Sequence, residues 1–166
     1  MIKSVDNPSV ANVLSTDDKK IYRIPRYQRE YTWGHHDWAS LYDDVFGNDP
    51  GYFLGSIIVI QGPVSASSGI YEYEVIDGQQ RLTTISLLLA ALYKQISGYG
   101  GLIDEDLRDD EVVPLRNRLV FKQDKKQTRV IPQVQNNNQA DFRCIMREVA
   151  GLKDSMQVPK NFGNRR

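Results

Sequence analysis

The sequence predicts an α+β domain: a small mixed sheet packed against one central, buried helix over about residues 79–97, with further helices around it. Three observations lead there. Residues 52–60 and 71–76 are rich in β-branched and aromatic side chains, the composition of strands. Leu82, Ile85, Leu88, Leu89, Leu92 and Ile96 recur at helical spacing. The length of 166 residues, with 40% hydrophobic and 25% charged residues, is that of a single globular domain able to bury its own core.

Taken in order, residues 1–20 are polar and mixed, with Val5, Val10, Val13 and Leu14 supporting a short helix. Lys20-Ile21-Tyr22-Arg23-Ile24 reads as a strand that Pro25 closes. Residues 37–46 place Trp38, Leu41, Tyr42 and Val45 on one helical face, with Asp37 as the expected N-cap and a turn-rich break at 47–51. The continuous apolar run 52–60 predicts a fully buried strand. Residues 61–70 have a loop composition, and 71–76 alternate before turning apolar, so the two strands pair as a hairpin across a long loop. Asp77-Gly78 breaks the second strand. The helix that follows is apolar nearly all round, which predicts a central position, and Gly98, Gly100 and Gly101 end it.

Residues 104–111 form an acidic surface segment, and 115–121 read as a strand or a helix end. A strand over 128–134 is interrupted by Pro132, and 139–149 is a helix with Phe142, Ile145, Met146 and Val149 aligned. The single cysteine, Cys144, excludes an intrachain disulfide and reads as a buried, inert thiol. The longest apolar stretch, 85–93, is too short to span a bilayer. No basic segment followed by an apolar one opens the chain, so the sequence predicts a cytoplasmic protein without a signal peptide.

Charge is balanced in total and unbalanced along the chain. Residues 1–111 carry 9 basic and 17 acidic side chains, residues 112–166 carry 12 and 4, for net charges of −8 and +8. The basic part includes Arg116, Arg118, Lys122, Lys125, Lys126 and Arg129, which reads either as a solvated face or as a surface for nucleic acid.

Two motifs carry chemistry. In Val75-Ile76-Asp77-Gly78-Gln79-Gln80-Arg81-Leu82-Thr83-Thr84 a strand passes through a tight turn into a buried helix. The first turn of such a helix offers unpartnered N–H groups and a positive dipole end, an anion site before any side chain is considered. Arg81 adds a planar fork for phosphate oxygens, and Gly78 lets a ligand approach the backbone. Asp77 repels an anion there unless a hard cation such as Mg²⁺ sits between them. Gln79, Gln80, Thr83 and Thr84 suit a base, a ribose or a water. The bland alternative stays open: Asp77 caps the helix, Gly78 makes the turn, and Arg81 forms a surface ion pair. The second motif, Ile24 to Trp33, interleaves Arg26 and Arg29 with Tyr27, Tyr31 and Trp33, suited to phosphate contact plus stacking, or to an aromatic mini-core around a loop. His35-His36 has diverging side chains and no third histidine to complete a metal site. There is no Walker A motif, and too few histidines are present for an HNH nuclease.

Together, Ile24 to Trp33, Phe53-Leu54-Gly55-Ser56-Ile57 and Asp77 to Thr84 resemble, in order and spacing, the N-terminal domain of the GmrSD-type restriction family. The resemblance covers residues 20–97, and more weakly Thr128 to Met146. It implies a ParB/sulfiredoxin-like fold and a part in bacterial defence against phage through modification-dependent, type IV-like restriction. It also implies binding and hydrolysis of a nucleoside triphosphate, ATP or GTP with Mg²⁺, at the Asp-Gly-Gln-Gln-Arg motif. Carried over position by position, Asp77, Gln79, Gln80 and Arg81 become the catalytic candidates, with Asp77 also the metal ligand. Tyr27, Gln28, Arg29, Gly78, Thr83 and Thr84 become the nucleotide contacts.

Family proteins continue into a helical region and often a nuclease domain. The sequence therefore reads as a single domain over 1–166, with 161–166 the start of a missing C-terminal region that is an expected partner. DNA is the other expected partner, met through the full-length protein. The rival reading is a non-enzymatic DNA-binding or protein-docking module with the same fold.

Overall fold

Among the described residues four strands, β1 (Lys20–Arg23), β2 (Ile58–Val64), β3 (Tyr71–Asp77) and β4 (Val130–Ile131), form one mixed sheet in the order β2-β3-β1-β4, and a 19-residue helix packs across it, in the computed structural model of the chain. The structure describes residues 4–16, 19–64, 69–98, 104–121, 126–155 and 157. The segment 161–166, expected to lead into a further region, falls outside these residues.

Helix α1 (Val10–Val13) is opened by Ser9, whose hydroxyl accepts the Asn12 N–H. Strand β1 (Lys20–Arg23) follows and becomes one of the two inner strands, parallel to both β3 and β4. Helix α2 (His35–Phe46) begins two residues before the expected Asp37. Asp37 is not the N-cap: Gly34 is, and the Asp37 carboxylate reaches back to accept the Gly34 N–H at 2.9 Å. An acidic side chain in the first turn satisfies a free donor and the helix dipole at once.

Strands β2 (Ile58–Val64) and β3 (Tyr71–Asp77) form the expected antiparallel hairpin. Two expectations fail at β2. The run 52–60 is not a fully buried strand: 52–57 are irregular, and Ile58 and Ile60 are 48% and 59% exposed. Residues 61–64 belong to the strand rather than to a loop. The reason is position, since β2 lies at the sheet edge, where only one face meets the core: Val59 packs inward while its neighbours face out. An edge also tolerates Pro63, which has no N–H to pair.

Helix α3 (Gln79–Ser97) follows β3 after a single residue, Gly78. It is central only along its first half. Leu82, Ile85, Ser86 and Ala90 are buried, whereas 94–98 are exposed. The apolar stripe runs past the sheet that covers it.

Helix α4 (Glu105–Leu107) and the π-helical turn 108–112 carry the acidic segment, whose described side chains from Asp104 to Glu111 are exposed as expected. Residues 115–121 hold both readings in turn: α5 (Val113–Asn117) ends there, and Val120 then pairs with Thr128. Strand β4 (Val130–Ile131) is short because Pro132 stops it. Helix α6 (Asn138–Ala150) buries Phe142, Cys144, Met146 and Ala150. The core is built from widely separated pieces of chain, with Leu14, Val75, Leu82, Val120, Val130 and Met146 nearly or wholly inaccessible. Among the described residues no helix is long and apolar enough to cross a membrane.

Candidate functional site

The two motifs meet at the start of α3. Gly78 adopts a left-handed conformation (φ 83°), which turns β3 directly into the helix. A Cβ at this position would stand 2.8 Å from the Ser56 carbonyl oxygen, so the glycine is needed for the 55–57 segment to lie against the turn. No side chain caps α3, and Leu82 is the first residue to donate back, to the Gly78 carbonyl, at 3.0 Å. Asp77 is therefore not the N-cap of the bland reading; it is the exposed last residue of β3. Arg81 forms no surface ion pair among the described residues. It extends over Gly55 and donates to the Ser56 carbonyl at 3.2 Å.

Gln79 and Gln80 face the other way and are buried. The Gln80 carbonyl oxygen accepts the backbone N–H groups of Thr32 at 2.9 Å and Trp33 at 3.2 Å, and its amide nitrogen donates to the Glu30 carbonyl at 2.8 Å. The amide thus imitates a strand neighbour for the β1–α2 loop. Gln79 donates to the Arg29 carbonyl at 3.1 Å and toward the Gln28 side-chain oxygen at 3.4 Å. Gln28 in turn donates to the Ile76 carbonyl at 2.8 Å. The run of two glutamines, which helix capping does not explain, is explained by this stitching.

The Thr84 hydroxyl donates to the Gln80 carbonyl at 2.8 Å and lies 2.7 Å from the Tyr31 hydroxyl, which also accepts the Trp38 indole N–H at 2.7 Å. Thr83 is buried beside them. Tyr27 is largely exposed, and its hydroxyl donates to Glu74 at 2.5 Å, a bond that holds the phenol pKa above its ordinary value. The Arg29 side chain is exposed. His35 and His36 lie exposed in the first turn of α2.

A third wall, which the sequence reading did not include, comes from the β4–α6 connection. Gln135 donates to the Arg26 carbonyl at 3.1 Å, and Asn136 donates to the Glu30 carboxylate. Between this connection, the 24–31 segment and the first turn of α3 lies a cavity of about 10 Å³, lined in part by Thr83, Gln133 and Asn138. The one signal for it in the sequence is composition: six amide side chains crowd residues 133–139.

In the basic part of the chain Lys126 and Lys153 are exposed, as a solvated or DNA-facing surface requires, but four arginines are committed to partners within the protein. Arg129 is 2% exposed; its guanidinium stacks 4.3 Å from the Phe121 ring and donates to the Asn117 and Thr16 carbonyls. Arg118 donates to the Ala11 carbonyl at 2.7 Å. Arg143 and Arg147 both clasp Asp154, whose side chain is 6% exposed. Burial pushes the Asp154 carboxyl up, but hydrogen bonds from Arg147 and Arg143 outweigh it and hold the pKa below the ordinary value. Lys122 and Lys125 lie outside the described residues.

Among the described residues no group of three acidic, histidine or cysteine side chains is placed to hold a metal. A cation at Asp77 would need its remaining ligands from a bound anion and water, as Mg²⁺ often takes them, and a lone exposed carboxylate beside an uncapped helix start fits that ion.

Residues 10–166 match the family model of the GmrSD restriction endonuclease, N-terminal domain. No curated protein matches the chain.

Proposed function

The chain belongs to the family of GmrSD restriction endonuclease N-terminal domains, and from that membership we propose that it is the nucleotide-binding, NTP-hydrolysing regulatory domain of a modification-dependent restriction system directed against phage DNA. The observation that carries the reading is the start of α3: a 19-residue helix with no side-chain cap, opened by a left-handed glycine and flanked by Arg81 and the exposed Asp77. Backbone N–H groups and the helix dipole attract phosphate oxygens there, and Arg81 adds charge-assisted hydrogen bonds.

Asp77 would hold Mg²⁺, which when bound neutralises phosphate charge and draws electrons from the bond to be broken. Asp77 also orients water toward the phosphates. Gln79 and Gln80 are positioning residues, because their amides hold the Gln28–Trp33 loop against the helix. Tyr27 and Arg29 present their side chains on the outer side of that loop, where a ring for stacking and a cation for phosphate suit a nucleotide.

Calorimetric titration with ATP or GTP in the presence of Mg²⁺ tests the reading. Wild type binds, and Arg81→Ala and Asp77→Ala weaken binding by at least tenfold. Absence of binding by wild type, or unchanged binding by both variants, overturns it.

The rival reading, a DNA-binding module using the basic half of the chain, keeps Lys126 and Lys153 as exposed cations but draws little on four arginines of that half, Arg118, Arg129, Arg143 and Arg147. These arginines are committed to carbonyls, to Phe121 and to Asp154.

A further inference from the structure

Gln133 is 2% exposed, and among the described residues its side-chain nitrogen has no hydrogen-bond partner. The orientation of this amide is decided by its other end, because its oxygen accepts the Gln135 backbone N–H. The nitrogen is therefore the group left over. The buried side-chain nitrogen of Asn138 likewise has no partner among the described residues. Both residues line the cavity that also touches Gln79, Gln80 and Thr83 of α3. Leaving a buried donor unsatisfied forfeits its hydrogen bonds to water with nothing in return, so two at one cavity call for an occupant that accepts hydrogen bonds.

The cavity's size restricts that occupant. About 10 Å³ holds one water-sized atom. A carbonyl or phosphate oxygen meets both conditions, and an amino group meets neither of the two donors. The place is also informative. The cavity abuts the first turn of α3, while Arg81 leaves the same turn toward Ser56. At about 100° per residue, Arg81 projects from the side opposite Gln79 and Thr83. A ligand lying across the helix start touches both sides.

We infer that Gln133 and Asn138 form a donor pair that receives a single acceptor oxygen of the bound nucleoside triphosphate. This rests on the nucleotide reading above and extends its site to the β4–α6 connection. Two sources present the same chemistry: the keto oxygen of guanine or uracil, and a phosphate oxygen.

The test is calorimetric titration of the whole chain with GTP, UTP, ATP and inorganic triphosphate, each with Mg²⁺. Gln133→Glu is the informative variant, since it keeps the oxygen that accepts from Gln135 and turns the leftover donor into an acceptor. Affinity falls at least tenfold if the pair is used. A fall for GTP and UTP alone places a keto oxygen in the cavity, and a fall for all four ligands places a phosphate oxygen there. Asn138→Asp, at a half-buried residue, repeats the comparison if Gln133→Glu does not fold. Wild-type binding that both variants leave within twofold means the cavity holds only a water, and overturns the inference while sparing the nucleotide reading. Absence of binding by wild type overturns both.

Discussion

Replacing Gln80 tests whether the two motifs are one structure. Gln80→Leu keeps a buried side chain of similar bulk and deletes three hydrogen bonds: two accepted from Thr32 and Trp33, one donated to Glu30. At about 1 kcal/mol net for each bond, the full loss is about 3 kcal/mol. Thr32 is exposed enough for water to replace part of this, so the expected cost is about 2–3 kcal/mol. For a domain of this size each kcal/mol lowers Tm by about 2–4 °C. Amide hydrogen exchange locates the effect: Thr32 and Trp33 lose about 30-fold protection, the equivalent of about 2 kcal/mol, before amides of the sheet change. Gln80→Glu sharpens the comparison. Its carboxylate still accepts from Thr32 and Trp33 but sets a second oxygen against the Glu30 carbonyl, at a position 5% exposed. Burial and that opposed oxygen raise the folded-state pKa above the unfolded value of about 4.3. The protonated form, whose O–H donates to Glu30, is thus the stable one, and stability falls as pH rises through the raised value. Wild-type stability and unchanged Thr32 and Trp33 exchange in both variants at pH 7 would refute the stitching.

Gly78→Ala forces a left-handed Cβ to within 2.8 Å of the Ser56 carbonyl, and is expected to cost about 2 kcal/mol in urea denaturation; a neutral result means that the 55–57 segment does not rest on this turn. Asp154→Asn leaves Arg143 and Arg147 without their shared carboxylate, for a loss of about 3 kcal/mol at pH 7. Because the Asp154 pKa is held below its ordinary 3.8, the pair's contribution is present above that value and disappears as pH falls through the lower folded-state value. The destabilisation by Asp154→Asn therefore shrinks on acidification, which thermal melts from pH 7 to pH 2.5 check. The Cys144 thiol is buried and its pKa is pushed up by that burial; a thiol-specific reagent reacts with it at least tenfold faster in denaturant than in the native state, and equal rates would contradict its placement in α6.

Much of the architecture was written in local patterns. The hairpin, the turn at Gly78 and the helices over 79–97 and 138–150 follow from spacing and β-branched composition, which depend on chain neighbours alone. What periodicity misjudged was exposure. Ile58 and Ile60 sit in the apolar run that predicts burial, yet an edge strand has nothing to cover its outer face. Arg129 sits in a run of basic residues that predicts solvent, yet Phe121 and two carbonyls enclose it.

The same division holds at the site. The sequence by itself determined which residues are present at the start of α3, and that a strand, a glycine and a helix meet there. It placed Asp77, Gly78 and Arg81 at an anion-attracting terminus, because that field arises from the backbone of one continuous segment. Only the tertiary structure decided what the glutamines do. Gln80 meets Glu30 across 50 residues of chain, and Gln133 reaches the cavity from β4's far end. A polar side chain takes its role from the donors and acceptors folded against it, and when those come from distant segments no local pattern specifies them.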